Sequence, residues 1–195
     1  IELKKKIMSR LQHLHKNVRK FLKKEGYILP QRHDVIERKM RSLMEPSRYE
    51  KYLDIGDDMR AGLVGVSKLY QTVLTLEEAH LLFSHQSGLI SETMVSIINL
   101  IKNSDHMPIK IADMGCSTGS FCRLLHDYFS NAEVYGFDCE TVLLNLASTI
   151  DSNVKFQEWD YLSHKKPTDV KFDVIVSSFG IDFPHMDTIC PLDIY

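Results

Sequence analysis

The chain is short of everything that would mark it as a membrane, secreted or metal-stapled protein. No apolar run approaches the length of a membrane span, and the start, Ile1-Glu2-Leu3-Lys4-Lys5-Lys6, carries no apolar stretch with a small-residue cleavage site. There are 4 cysteines in 195 residues, and none forms a C-x-x-C pair, so free thiols and a reducing, cytoplasmic setting are expected. The 9 histidines are scattered. His80 and His85 lie five apart, poor spacing for two ligands on one helical face, so no metal site is expected. Glycine and proline are sparse, at 9 and 6, and no repeat or low-complexity stretch is present. With 44% apolar and 26% charged residues, what remains is a globular chain able to build a core and showing no membrane partner.

Charge is uneven. Residues 1–60 hold 16 Lys+Arg against 9 Asp+Glu, a net of +7, and the rest of the chain balances this to -2 overall. Such a basic arm suits RNA or another polyanion, but the expected reading is a solvated helix face. Leu3, Ile7, Leu11, Leu14, Val18 and Phe21 make one helical stripe with Lys and Arg on the other faces, and Gly26 is a plausible stop. The stripe must be covered by this chain, by a partner, or by a second copy in a homodimer through the first helix. Asp34 is expected to cap a second helix that Pro46 stops, and a helix is expected over 59–74. Thr75-Leu76-Glu77-Glu78 reads as a capping box opening a further helix, broken at Ser87-Gly88, with another running to about Asn103.

Near residue 107 the period changes. Strands are expected at 109–114, 133–137, 154–156 and 172–176, with helices from Ser117 or Thr118 and from Cys139 to Ile150. The connections are too long for hairpins, which implies a doubly wound, mainly parallel α/β sheet. The division is a helical N-terminal region over 1–106 and an α/β core over 107–195.

Chemistry concentrates at Asp113-Met114-Gly115-Cys116-Ser117-Thr118-Gly119, a strand end, a glycine-bearing turn and a helix start. A dinucleotide fingerprint would place glycine at 117 and 120, where serine stands, and a pyrophosphate gains nothing from Asp113. A ligand carrying a sulfonium and an ammonium does gain from it. The segment resembles motif I of the class I S-adenosylmethionine (SAM) dependent methyltransferases, acid-x-Gly-x-Gly-x-Gly, with Ser117 in place of the middle glycine. Further along, Gly136-Phe137-Asp138, Trp159-Asp160-Tyr161 and Phe172-Asp173-Val174-Ile175-Val176-Ser177-Ser178 resemble the family's next three motifs, in order.

The resemblance implies SAM as cofactor, with Asp113, Gly115, Cys116, Ser117 and Gly119 around its amino-acid part. It further implies Asp138 and Cys139 at the ribose, Asp160 and Tyr161 at the adenine, and Ser177 bordering the methyl group. Two hydrogen bonds to a carboxylate at about 1.5–3 kcal/mol each make Asp138→Ala a loss of more than tenfold in affinity, with little loss of fold expected. Cys116 and Cys139 read as small neighbours of the cofactor, because no basic partner would make either a nucleophile. Asp173 begins its strand and is expected away from the ligand edge. No catalytic residue is identified; Asp182, His185, His80 and His85 are candidate bases.

The implied reaction is methyl transfer to a nucleophilic atom, with a small molecule as acceptor. An RNA acceptor bound by the first helix, or a non-catalytic methyltransferase-like scaffold, are the alternatives. The helical region is expected to close over the site. The family core has seven strands and four are read here, so the sequence is expected to be an excerpt of a longer chain.

Overall fold

The computed structural model describes residues 2–150, 153–160, 163 and 168–177. Helix α1, Glu2–Glu25, ends where Gly26 turns left-handed at φ 107°. The Tyr27 N–H returns to the Leu22 carbonyl at 3.0 Å and Gly26 N–H to Lys23, which closes the helix as a Schellman turn. Its stripe is covered from within the chain. Leu14, Val18 and Leu22 are buried against α6, Ser87–Lys102, and α7, Ser120–Tyr128, leaving Ile7 and Met8 as exposed apolar residues.

Between α1 and α6 lie α2, His33–Leu43; α3, Pro46–Arg60; α4, Val66–Tyr70; α5, Leu76–Phe83; and a 3-10 turn, Ser84–Gln86. Four expectations need correcting here. Asp34 sits inside the first turn of α2, where it pairs with Arg32 and Arg38 at 3.0 and 3.1 Å; the capping position belongs to Arg32. Pro46 opens α3 instead of merely stopping α2, because its missing N–H costs nothing in a first turn. The helix expected over 59–74 is two pieces separated at 61–65, where Gly62 is left-handed at φ 72°. Ser87-Gly88 opens α6, since α5 has already passed into the 3-10 turn. The capping box forms: Thr75 Oγ1 accepts from Glu78 N–H at 3.2 Å, and Glu78 Oε2 accepts from Leu74 N–H at 2.7 Å.

The four strands are β1, Lys110–Met114; β2, Glu133–Asp138; β3, Val154–Glu158; and β4, Val174–Val176. All pairings are parallel, in the order β3-β2-β1-β4. Helices α7 and α8, Thr141–Ala147, connect β1 to β2 and β2 to β3. The chain leaves β1 for β2 on one side and returns to β4 on the other. That reversal at β1 creates the crevice where α/β sheets bind ligands, beyond the carboxyl ends of the strands.

The expected incomplete, doubly wound α/β sheet preceded by helices is therefore the fold. On β4, Ile175 is 63% exposed. No helix among the described residues is long and apolar enough to cross a membrane.

Two apolar clusters join the helices to the sheet region. One combines Leu14, Val18 and Leu22 of α1 and Ile98 of α6 with Leu125 of α7 and Val134 of β2. The other combines Ile36, Met40, Tyr70 and Leu81 with Leu143 of α8. The helical region thus packs against both α7 and α8.

Candidate functional site

The turn after β1 passes through three left-handed residues: Gly115 at φ 76°, Ser117 at 53° and Gly119 at 73°. Two of its N–H groups, from Gly115 and Cys116, converge on the Phe137 carbonyl at 2.7 and 2.9 Å, which pins the turn to the end of β2. Gly119 is required by space as well as by φ. A Cβ there would stand 2.3 Å from the Phe156 ring, and one at Gly136 would stand 2.8 Å from both Phe156 and the Cys116 sulfur. α7 starts at Ser120, two or three residues later than expected, because Gly119 takes the left-handed capping position.

Ser117, standing where the family motif has glycine, adopts glycine's conformation. An L-residue there costs about 1–2 kcal/mol. Asp138 offsets this: its Oδ2 accepts the Ser117 N–H at 2.7 Å, and its Oδ1 accepts the Glu140 N–H at 2.9 Å. Burial raises the Asp138 pKa, with those backbone donors opposing. The two bonds change one expectation. Asp138 is only 9% exposed and supports the turn, so alanine there would leave two donors without their acceptor and cost stability as well as affinity. A carboxylate has about four lone-pair sites, so Asp138 retains acceptor capacity toward a ligand.

Asp113, the last residue but one of β1, has no exposed surface. Its Oδ2 accepts weakly from the Cys122 thiol at 3.5 Å, and its Oδ1 is buried without a partner. Burial pushes its pKa up to about 7; the thiol opposes this and the Asp138 charge adds to it. Among the described residues neither acid is in an ion pair with a lysine, arginine or histidine. Two more buried polar atoms without partners lie at the same edge, Ser117 Oγ and Ser177 Oγ, the latter one residue beyond β4. Buried polar groups are normally satisfied. Here three orphaned atoms and two buried carboxylates with no cation among the described residues gather where β1, β2 and β4 end.

The remaining sequence-derived residues are placed as follows. Cys116 is buried beneath the turn, and Cys139 is exposed just past β2. Partial desolvation of its sulfur and the charges of Asp138, Glu140 and Asp160 push the Cys139 thiol up to about 11, so it stays protonated at neutral pH. Asp160 is exposed two residues beyond β3. Tyr161, Asp182 and His185 lie outside the described residues. Asp173 accepts the Ile109 and Lys110 N–H groups at 2.8 Å, holding β4 to β1 at the end away from the crevice. His85 stacks on His33 near the surface, their Nδ1 atoms 2.9 Å apart. His80 is 1% exposed with both ring nitrogens engaged, so no substrate proton can reach it.

Sequence reasoning missed Tyr70, Glu25, Tyr27 and Arg123. Tyr70, from α4, lies close enough to Asp138 and Glu140 for their charges to raise its pKa further beyond the larger effect of burial. Glu25 pairs with Arg123 beneath the turn. No local pattern signals a contact between residues 98 positions apart. Among the described residues no group of three or more His, Cys, Asp or Glu side chains could hold a metal. A cleft of about 180 Å³ between α8 and β3, lined by Asn145, Phe156 and Gln157 among others, includes neither Asp113 nor Ser117.

Residues 111–190 match the family model described as a methyltransferase domain, which bears out the class I methyltransferase resemblance read from the motifs. No curated protein sequence matches the chain. Among solved structures, the plantazolicin methyltransferase BpumL in complex with SAH is 15% identical, with a TM-score of 0.39 over 89% of this chain and 56% of that one. BpumL with a triazolic desmethylPZN analog and SAH is 16% identical, with a TM-score of 0.43 over 73% of this chain and 55% of that one. Human N-acetylserotonin methyltransferase in complex with SAM is 16% identical, with a TM-score of 0.35 over 71% of this chain and 42% of that one. The chain spans about half the length of these proteins.

Proposed function

We propose that this protein binds SAM at the carboxyl ends of β1 and β2 and transfers its methyl group to a nucleophilic atom of a small molecule. The observation that carries the reading is Asp113: fully buried, one oxygen without a partner, beside a second buried acid, and with no cation paired to either among the described residues. A buried carboxylate in that state is stabilised by a cationic ligand and would repel a pyrophosphate. SAM carries a sulfonium and an ammonium and no phosphate, so the residues present fit it.

In this reading Asp113 and Ser117 face the cationic amino-acid part, and Gly115, Cys116 and Gly119 let the backbone approach. Asp138 accepts from the ribose hydroxyls while keeping its hold on the turn, with Cys139 beside it. Asp160 and Tyr161 take the adenine side, and Ser177 borders the reacting methyl. When bound, SAM supplies an electrophilic methyl carbon on sulfur. The chain's task is alignment and exclusion of water. The helices before residue 107 cover the site, and Tyr70 of α4 lies near enough to the ribose acid to feel its charge. The buried, protonated thiols suit a cytoplasmic setting.

Calorimetry on the complete protein tests this. SAM and SAH should bind and NAD should not; NAD binding without SAM binding would refute the reading. Binding of SAM with no turnover across nucleophilic small molecules would favour the scaffold alternative.

One observation supports an RNA acceptor as second reading. Arg10, Lys16, Arg19, Lys20, Lys23 and Lys24 are exposed along α1, and none is in an ion pair with a described residue. Affinity for RNA that falls steeply with salt would favour it over a solvated face.

A further inference from the structure

The cofactor reading leaves one buried cluster unused, on the side of the glycine turn away from Asp138. Thr118 lies between the left-handed residues Ser117 and Gly119 and is itself buried. Conformations of this kind cost about 1–3 kcal/mol for a non-glycine residue, and they persist only where the surroundings over-determine them. Asp138 holds one side, through the Ser117 N–H.

The other side is held by His80 and Glu25 of the N-terminal helices together with Arg123 of α7. His80 of α5 donates from Nδ1 to the Glu25 carbonyl, which can only accept. Its Nε2 is therefore the acceptor, and the Thr118 hydroxyl, 3.1 Å away, is its donor. The Thr118 carbonyl accepts from Arg123 Nη1 at 2.9 Å, and Arg123 Nη2 pairs with the Glu25 carboxylate. Ser120 Oγ donates to the same carboxylate at 3.2 Å, and Tyr27 stacks on the His80 ring with centroids 4.7 Å apart. Burial lowers the His80 pKa, in keeping with a neutral ring that donates once and accepts once. Thr118 is thus fixed through both its hydroxyl and its carbonyl, by residues reached across 38 and 5 positions of sequence.

We infer that His80, Glu25 and Arg123 are positioning residues for the cofactor site: they set the shape of the glycine turn from behind, and through it cofactor affinity. The inference rests on the SAM reading. The N-terminal helices then act on the cofactor by more than cover, and a change at the end of α1 is transmitted to the turn.

Two substitutions of His80 in the complete protein separate positioning from packing. His80→Gln keeps an acceptor at the Nε2 position for Thr118. His80→Asn keeps only the donor to the Glu25 carbonyl. Thr118→Val, which removes the hydroxyl at nearly unchanged shape, is the third variant. SAH binding is measured by calorimetry and Tm in parallel. Expected is affinity within about threefold of wild type for His80→Gln, and a loss of tenfold or more for His80→Asn and Thr118→Val, with the two His80 variants melting together. Equal affinity across all variants, or losses that simply follow Tm, would overturn the inference while leaving the SAM reading intact. A wild-type protein that binds no SAH would overturn both.

Discussion

Two buried acids show how differently the two regions of the molecule treat charge. Glu78, in the helical region, is 2% exposed and fully answered. Arg48 grips it with two 2.7 Å bonds, and the Leu74 N–H adds a third. Burial works against its ionisation, yet the Arg48 bonds hold its pKa below the ordinary value. Asp113, at the sheet edge, is buried just as deeply and meets only a thiol, and its pKa rises to about 7. A satisfied buried ion pair is architecture. An unsatisfied buried acid at a topological switch point is a place for a ligand.

The sharpest break of the comparison uses the same substitution in both regions. Gly119→Ala drives a Cβ into the Phe156 ring at a left-handed φ and should cost about 4 kcal/mol, lowering Tm by roughly 10 °C. Gly88→Ala, in α6 with nothing within 4 Å, should stabilise by about 0.5 kcal/mol. Similar losses at both positions would show that the turn is no more constrained than a helix.

Next in size is Arg48→Met. It leaves Glu78 buried and unpaired, and should cost about 3 kcal/mol in urea unfolding while SAH affinity is retained. Because the folded pKa of Glu78 is depressed, the pair's contribution is present above pH 4.5 and lost as the pH falls. Arg48→Met should therefore flatten the acid limb of the stability profile.

Asp113 should behave with the opposite sign. Its folded pKa is raised, so the unliganded protein should lose stability as pH rises from 3.8 towards about 7. Asp113→Asn should abolish that decline; a decline of the same size in the variant would assign it to another group. Smallest of all, Ser117→Gly relieves the left-handed cost but adds chain entropy. It should move stability by less than about 1 kcal/mol.

The two regions also differ in how much their sequence disclosed. Around the sheet, strand periodicity and the ordered acids at 113, 138 and 160 placed the elements to within a few residues, because each signal is local. Among the helices, the capping box at Thr75 and the stop at Gly26 were legible for the same reason. The break at 61–65 was overlooked although its signal is local: Gly62 turns left-handed and the Leu63 and Gly62 N–H groups return to the Asp58 and Met59 carbonyls, the same stop that Gly26 makes. The grip of Glu25, His80 and Arg123 on Thr118 was not legible, because it is written in three separate segments and exists only once they fold together. The orphaned Asp113 Oδ1 likewise follows from burial and from which neighbours are missing, not from the motif that names the residue.

The central claim is that Asp113 is the countercharge awaiting a cationic cofactor. It is tested most directly by SAM affinity between pH 5.5 and 7.5, in wild type and in Asp113→Asn. The ligand's own titration is common to both proteins, so the difference belongs to the side chain. The account predicts wild-type affinity that climbs through pH 7 with release of a proton on binding, and a variant at least tenfold weaker at pH 7.5 that lacks this climb. Equal affinities with parallel pH profiles would contradict it.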